Sequence, residues 1–112
     1  MIKNIEKVND NLIWYIEDCK HSITIKDGSF ISDDNNILIM NEARDQVIVL
    51  DESGKQIEVL NSSDKIYLMY LQKHPRFGIT VVASLQDKNG NWMDKYLSWT
   101  TSQRFEVVSN AR

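Results

Sequence analysis

The hydrophobic positions of this chain fall in short runs with polar punctuation, and they are densest between Ile37 and Leu60. That stretch reads ILIMNEARDQVIVLDESGKQIEVL, three apolar runs parted by the breaks at residues 41–45 and 51–55. Runs this short, this rich in β-branched residues and this regularly interrupted by turn formers predict an antiparallel meander. Its second break needs a residue tolerant of positive φ, which Gly54 supplies.

The flanking segments extend the pattern. Ile2, Ile5 and Val8 recur every third residue, as on one face of a short helix, with a first strand as the alternative. Leu12 to Ile16 is a β-prone run. Ser22 to Lys26 alternates, so Ile23 and Ile25 share a face. Asp27-Gly28 signals a tight turn, and Phe30-Ile31 then opens the returning strand. Lys65 to His74 carries two signals. Ser63, the helix formers and Pro75 punctuate a helix, whereas the unbroken apolar run Ile66 to Leu71 suits a strand buried on both faces. Arg76 to Leu85 reads as a strand, with Gly78 hinting at a bulge or a close backbone approach. A hairpin turns at Asn89-Gly90, Trp92 to Trp99 returns, Phe105 to Val108 closes the set, and residues 109–112 are expected to fray.

A faint repeat runs through these elements. Leu12-Ile-Trp-Tyr-Ile-Glu aligns with Ile37-Leu-Ile-Met-Asn-Glu at an offset of 25, and one gap later Gly28 falls on Gly54. Ile66-Tyr-Leu-Met-Tyr-Leu begins a third unit, which favours the strand over the helix for residues 65–74. Repeated meanders of this kind resemble the blades of a β-propeller at the level of pattern, without a blade signature such as a Trp-Asp pair. At ~40 or more residues per blade, 112 residues are too few to close a ring. The expectation is therefore a single mainly β domain over residues 1–112. It consists of antiparallel meanders in two to three repeated hairpin-like units, with at most one or two short helices. It forms either an open sheet assembly or one completed by association into a homo-oligomer.

Composition narrows the class. With 42% hydrophobic and 26% charged residues, four Gly and one Pro, disordered and collagen-like chains are excluded. No apolar run approaches the ~20 residues of a membrane-spanning helix. The first residues lack the apolar core of a signal peptide, and the lone Cys19 has no internal partner, so a cytoplasmic protein is expected. The net charge of −3 is unevenly spread: residues 1–64 carry −7 and residues 65–112 carry +4. Either the two parts attract each other within one fold, or an acidic face meets a basic partner, or copies associate head to tail.

Candidate chemistry is sparse. Asp87-Lys88-Asn89-Gly90-Asn91 spaces oxygen ligands like a calcium loop, but its glycine and twelfth residue are misplaced, and a hairpin turn accounts for the same residues. Cys19 and His21 would share a strand face, yet a nucleophilic pair needs a third group to orient the base. One Cys and two His are too few for an ordinary structural zinc site, so no metal and no cofactor are expected. Lys73, His74 and Arg76 cluster around Pro75 near Tyr70, where a phosphate or carboxylate could be held. Trp92, Tyr96 and Trp99 bias the C-terminal part toward large rings, which form either core and cross-strand pairs or interface anchors. Nucleic acid would want a basic groove that the net charge opposes.

These residues predict a small non-enzymatic binding protein. A protein partner would be steered by the acidic part and anchored by an aromatic-bearing sheet face, as in an inhibitor or immunity-type protein covering a basic site. Trp92, Tyr96 and Trp99 are the candidate anchors; alternation along a strand over 92–99 sets Trp92 and Tyr96 on one face and Trp99 on the other. The alternatives are a small-anion site around Tyr70, His74 and Arg76, and a structural subunit of a larger β assembly.

Overall fold

The computed structural model describes residues 1–111. The elements in chain order are β1 (Ile2–Val8), β2 (Asn11–Ile16), β3 (Cys19–Thr24), β4 (Ser29–Ser32), β5 (Asn36–Met40), β6 (Gln46–Asp51), β7 (Gln56–Asn61), β8 (Ile66–His74), β9 (Gly78–Gln86), β10 (Trp92–Trp99) and β11 (Phe105–Asn110). They form three antiparallel meanders: a first sheet β1-β2-β3, a middle sheet β4-β5-β6-β7 and a last sheet β11-β10-β9-β8. No helix occurs among the described residues.

The middle sheet is covered on both faces. Leu38, Met40, Val47 and Val49 point to one side, where they pack with Leu68, Ile79, Val81 and Leu97 of the last sheet. Ile37, Ile39 and Leu50 point to the other side, against Leu12 and Trp14 of the first sheet. Strands buried on both faces read as continuous apolar runs rather than alternation, which accounts for ILIM and VIVL in the central stretch. The outer sheets each leave one face uncovered by any other sheet.

Short polar turns join the strands. Asp33 Oδ1 accepts from the Asn35 and Asn36 amides, Asn41 Oδ1 from those of Asp45 and Gln46, and Asp51 Oδ1 from those of Ser53 and Lys55. Partial burial works to raise the Asp51 pKa. The Ser53 hydroxyl, the two amides and the Lys55 charge outweigh it, and the carboxyl sits below the ordinary carboxylate range. The same turn docks on the first sheet. Trp14 Nε1 donates to the Glu52 carbonyl at 2.7 Å, and a Cβ on Gly54, whose φ is +92°, would stand 3.3 Å from the Trp14 ring.

Four expectations need correction. Residues 2–8 are a strand, not a helix: Asn4 adopts φ 55° in a bulge, so Ile2 and Ile5 reach the core three residues apart. Gly28 does not close a hairpin. It sits at the crossover from the first sheet to the middle one, and β4 pairs with β5 rather than returning along β3. The strand expected from Arg76 starts at Gly78, because His74 to Phe77 make the turn. The C-terminal end is held through residue 111, with the Ala111 amide donating to the Asp94 carbonyl; Arg112 lies outside the described residues. The ambiguous stretch from residue 65 to 74 forms β8, the strand that the repeat favours.

Candidate functional site

The uncovered face of the last sheet gathers most of the candidate residues. Register places Tyr70, Val82, Tyr96 and Ser109 in one row across four strands, with Tyr67, Ser84 and Asp94 in the next. Trp92 lies beyond them at the end of β10, opposite Gln86. Cross-strand partners share a face of the sheet, so these side chains stand together. Tyr67, Tyr70 and Trp92 are 56%, 48% and 47% exposed, whereas Val82, between Tyr70 and Tyr96, is buried.

A bulge builds this cluster. The pairing of β8 with β9 shifts between Leu68 and Tyr70, leaving Met69 as the extra residue. Without it, strict alternation would put Tyr67 and Tyr70 on opposite faces. With it, Tyr67 and Tyr70 both face outward while Leu68 and Leu71 face the core. The spacing of three between Tyr67 and Tyr70, helical in period, is the trace of that bulge.

At the far end of the face, His74 packs on Phe77 with centroids 4.7 Å apart and meets Tyr96 edge-on at 4.9 Å. Its Nδ1 accepts from the Arg76 and Phe77 amides at 3.0 and 3.2 Å, so this nitrogen caps the β8–β9 turn. The Arg76 guanidinium lies 5.3 Å from the Phe77 ring centroid, a cation–π contact. The polar groups beneath are satisfied: Thr80 Oγ1 donates to the Gln72 carbonyl at 2.6 Å and Ser98 Oγ to the Phe77 carbonyl at 2.8 Å. His74 and Arg76 thus serve the turn and its ring cluster. Tyr70, in the same row as Tyr96, also lines an open cleft of about 460 Å³, where Lys26 and Arg44 lie alongside Asp27 and Glu42.

Trp99 is not part of this face. It is 7% exposed, belongs to the core shared with the middle sheet, and meets Phe105 edge-on at 5.1 Å. Alternation along β10 turns it away from Trp92 and Tyr96. Tyr67, Phe77 and Val82 join the site although the sequence patterns do not single them out. The signal for Tyr67 is its three-residue spacing from Tyr70, legible only once a bulge is assumed.

The other pairings resolve locally. His21 stacks on Trp14 with centroids 5.9 Å apart, and Cys19 on the same strand is exposed. Asp87 Oδ1 accepts from the Asn89 and Asn91 amides, which closes the β9–β10 hairpin. The charge division matches the architecture: residues 1–64, at −7, build the first and middle sheets, and residues 65–111, at +3, build the last. The ring-bearing face therefore belongs to the basic sheet, not to the acidic part. Comparison with protein-family models, with curated proteins and with solved structures found no match for this chain.

Proposed function

We propose that this chain is a non-enzymatic interaction protein that docks a protein partner on the outward face of its last sheet. The observation that carries the reading is the exposure of Tyr67, Tyr70 and Trp92 together on a face no other sheet covers. Exposed large rings gathered on one face mark interaction surfaces, and Tyr and Trp are the side chains that most often anchor them. The pleated scaffold beneath is rigid and hydrogen-bonded, so little conformational entropy is lost when these rings are covered.

Charge refines the partner. Residues 65–111, which build the sheet that bears the face, carry +3, so the complementary surface is neutral or acidic at its rim. The acidic surplus sits on the other two sheets and would act on approach rather than in contact.

The test is a photo-crosslinking residue placed at Tyr70 or Trp92 in the protein expressed in cells, with Glu58 on the exposed β7 as control. The expected result is a covalent polypeptide adduct from the first two positions and none from the third. Absence of any polypeptide adduct at Tyr70 and Trp92 would refute the reading.

A further inference from the structure

We propose, building on the reading of this face as a docking surface, that its occupant is a second copy of the chain: the outward face of the first sheet of one copy covers the last sheet of the other, and two copies joined this way at both ends close a ring of six sheets.

Shape is the first argument. A flat stack of three such sheets would span ~20 Å across its layers, ~15 Å across four strands and ~30 Å along the longest strands. The molecule instead measures 51 × 27 × 21 Å. The middle and last sheets come closest through β4 and β8, the first strand of each. The middle and last sheets therefore splay apart from the side of β4 and β8, as two neighbouring sectors of a disc would. Rings of radiating sheets contain roughly four to eight members. With three sheets per chain, two copies are the number that falls in that range.

The two end faces also match level by level. On the first sheet, Lys3, Tyr15 and Lys20 form one outward row, beside the turn bearing Glu17 and Asp18. The last sheet, at the same distance from its corresponding end, presents Tyr67 and Trp92, next to the turn bearing Lys88. Lysine ammonium groups set against aromatic rings gain cation–π contacts, and Lys88 faces the carboxylates of Glu17 and Asp18. At the opposite end, Asp10 lies in the β1–β2 turn and Arg76 in the β8–β9 turn, the equivalent positions of the two sheets. Ile13 occupies the centre of the first face, as Tyr70 and Tyr96 do of the second.

Net charge separates this pairing from its competitor. Residues 1–28, which build the first sheet, carry −1, against +3 for residues 65–111 of the last. Two last sheets packed on each other would oppose like charges. Strand spacing and rise give the three-stranded first face roughly 300 Å² and the four-stranded last face roughly 500 Å². The smaller face limits each junction, so two junctions bury about 1,200 Å², the lower bound of a stable interface.

Sedimentation velocity across micromolar concentrations tests the proposal. The wild-type chain is expected to form a dimer. Tyr15→Asp on one face and Trp92→Asp on the other are each expected to give monomers. The loss is about thirtyfold in affinity at each junction, roughly a thousandfold for both. Lys20→Glu stands in for Tyr15→Asp if circular dichroism shows that variant unfolded. A wild-type monomer throughout overturns the second copy, while an adduct of a different mass in the crosslinking experiment would still support the docking face. A dimer indifferent to Tyr15→Asp and Lys20→Glu overturns the head-to-tail pairing. Species that grow beyond the dimer overturn ring closure.

Discussion

Alanine at Gly28 tests the crossover that joins the first sheet to the middle one. Gly28 has φ +94°, and a Cβ there would lie 2.1 Å from the Met40 carbonyl oxygen and 3.0 Å from the Asn41 Cα. Both obstacles are backbone, held by the pairing of Ser29 with Met40. The left-handed conformation alone costs an L-residue about 1–2 kcal/mol. Relieving the overlap means shifting a strand end, an overpacking cost of about 1–3 kcal/mol. Reduced freedom of the unfolded chain returns only about 0.4–1 kcal/mol. The net loss is about 2–4 kcal/mol, a large share of the 5–15 kcal/mol typical of a domain. β4 is only four residues long, so the shift is expected to release Phe30 and Ile31, its contributions to the two cores.

Gly78→Ala is the reference. Its φ is +75°, but nothing lies within 4 Å of the added Cβ, so it reports the backbone term alone. Gly54→Ala falls between, because its Cβ would press on the buried Trp14 ring at 3.3 Å. Urea denaturation of the three variants should rank Gly28 worst, then Gly54, then Gly78, with unchanged slopes. A Gly28 variant within about 0.5 kcal/mol of the Gly78 variant, the margin within which independent effects add, would refute the crossover geometry.

Other contacts set further outcomes. Trp14→Phe removes a donor to the Glu52 carbonyl, whereas Trp99 Nε1 has no partner among the described residues; thermal unfolding should show Trp14→Phe costlier than Trp99→Phe by about 1 kcal/mol. Asp51→Ala should destabilise by about 0.5–1.5 kcal/mol at neutral pH. Because the folded-state pKa of Asp51 is lowered, that gap is full above the ordinary carboxylate pKa of ~3.9 and closes as pH falls through the native value, which stability curves at acid pH would reveal. In the monomeric Tyr15→Asp background Trp92 is the exposed indole of the three tryptophans, so adding Trp92→Phe there should abolish most acrylamide quenching of fluorescence and leave the melting temperature within about 2–4 °C, as expected for a surface change. Strong residual quenching would mean that Trp14 or Trp99 is reachable by solvent.

The architecture was legible where apolar runs met unambiguous turn chemistry. Asp51 to Lys55 and Asn89-Gly90 are hairpins, with Gly54 at φ +92° and Gly90 at φ +83°. Asp27-Gly28 carries the same local signal but closes no hairpin, since the path of the chain after β3 is decided by where β4 finds a partner strand, not by the turn dipeptide. The bulges at Asn4 and Met69, two of four register shifts among the described strands, were illegible for a related reason. An inserted residue converts a two-residue period into a three-residue spacing, which mimics a helix. Of the candidate site, Tyr70, His74, Trp92 and Tyr96 share one face because their register aligns, which single-strand alternation cannot foresee. Trp99 was separable from Trp92 and Tyr96 by parity along β10, but parity alone does not say which side is inner.

The double-sided middle sheet has a consequence for how the chain finds its pairing. In a strand with one wet side, slipping by a single residue is punished by exposing oil and burying charge. Ile37 to Met40 and Val47 to Leu50 lack that safeguard, since a slip would merely exchange one greasy neighbour for another. The correct alignment must be enforced from the strand ends, where Asp33, Asn41 and Asp51 lock successive turns through their own side-chain oxygens. The crowd of Asp and Asn around the most apolar part of the protein is thus its proofreading device.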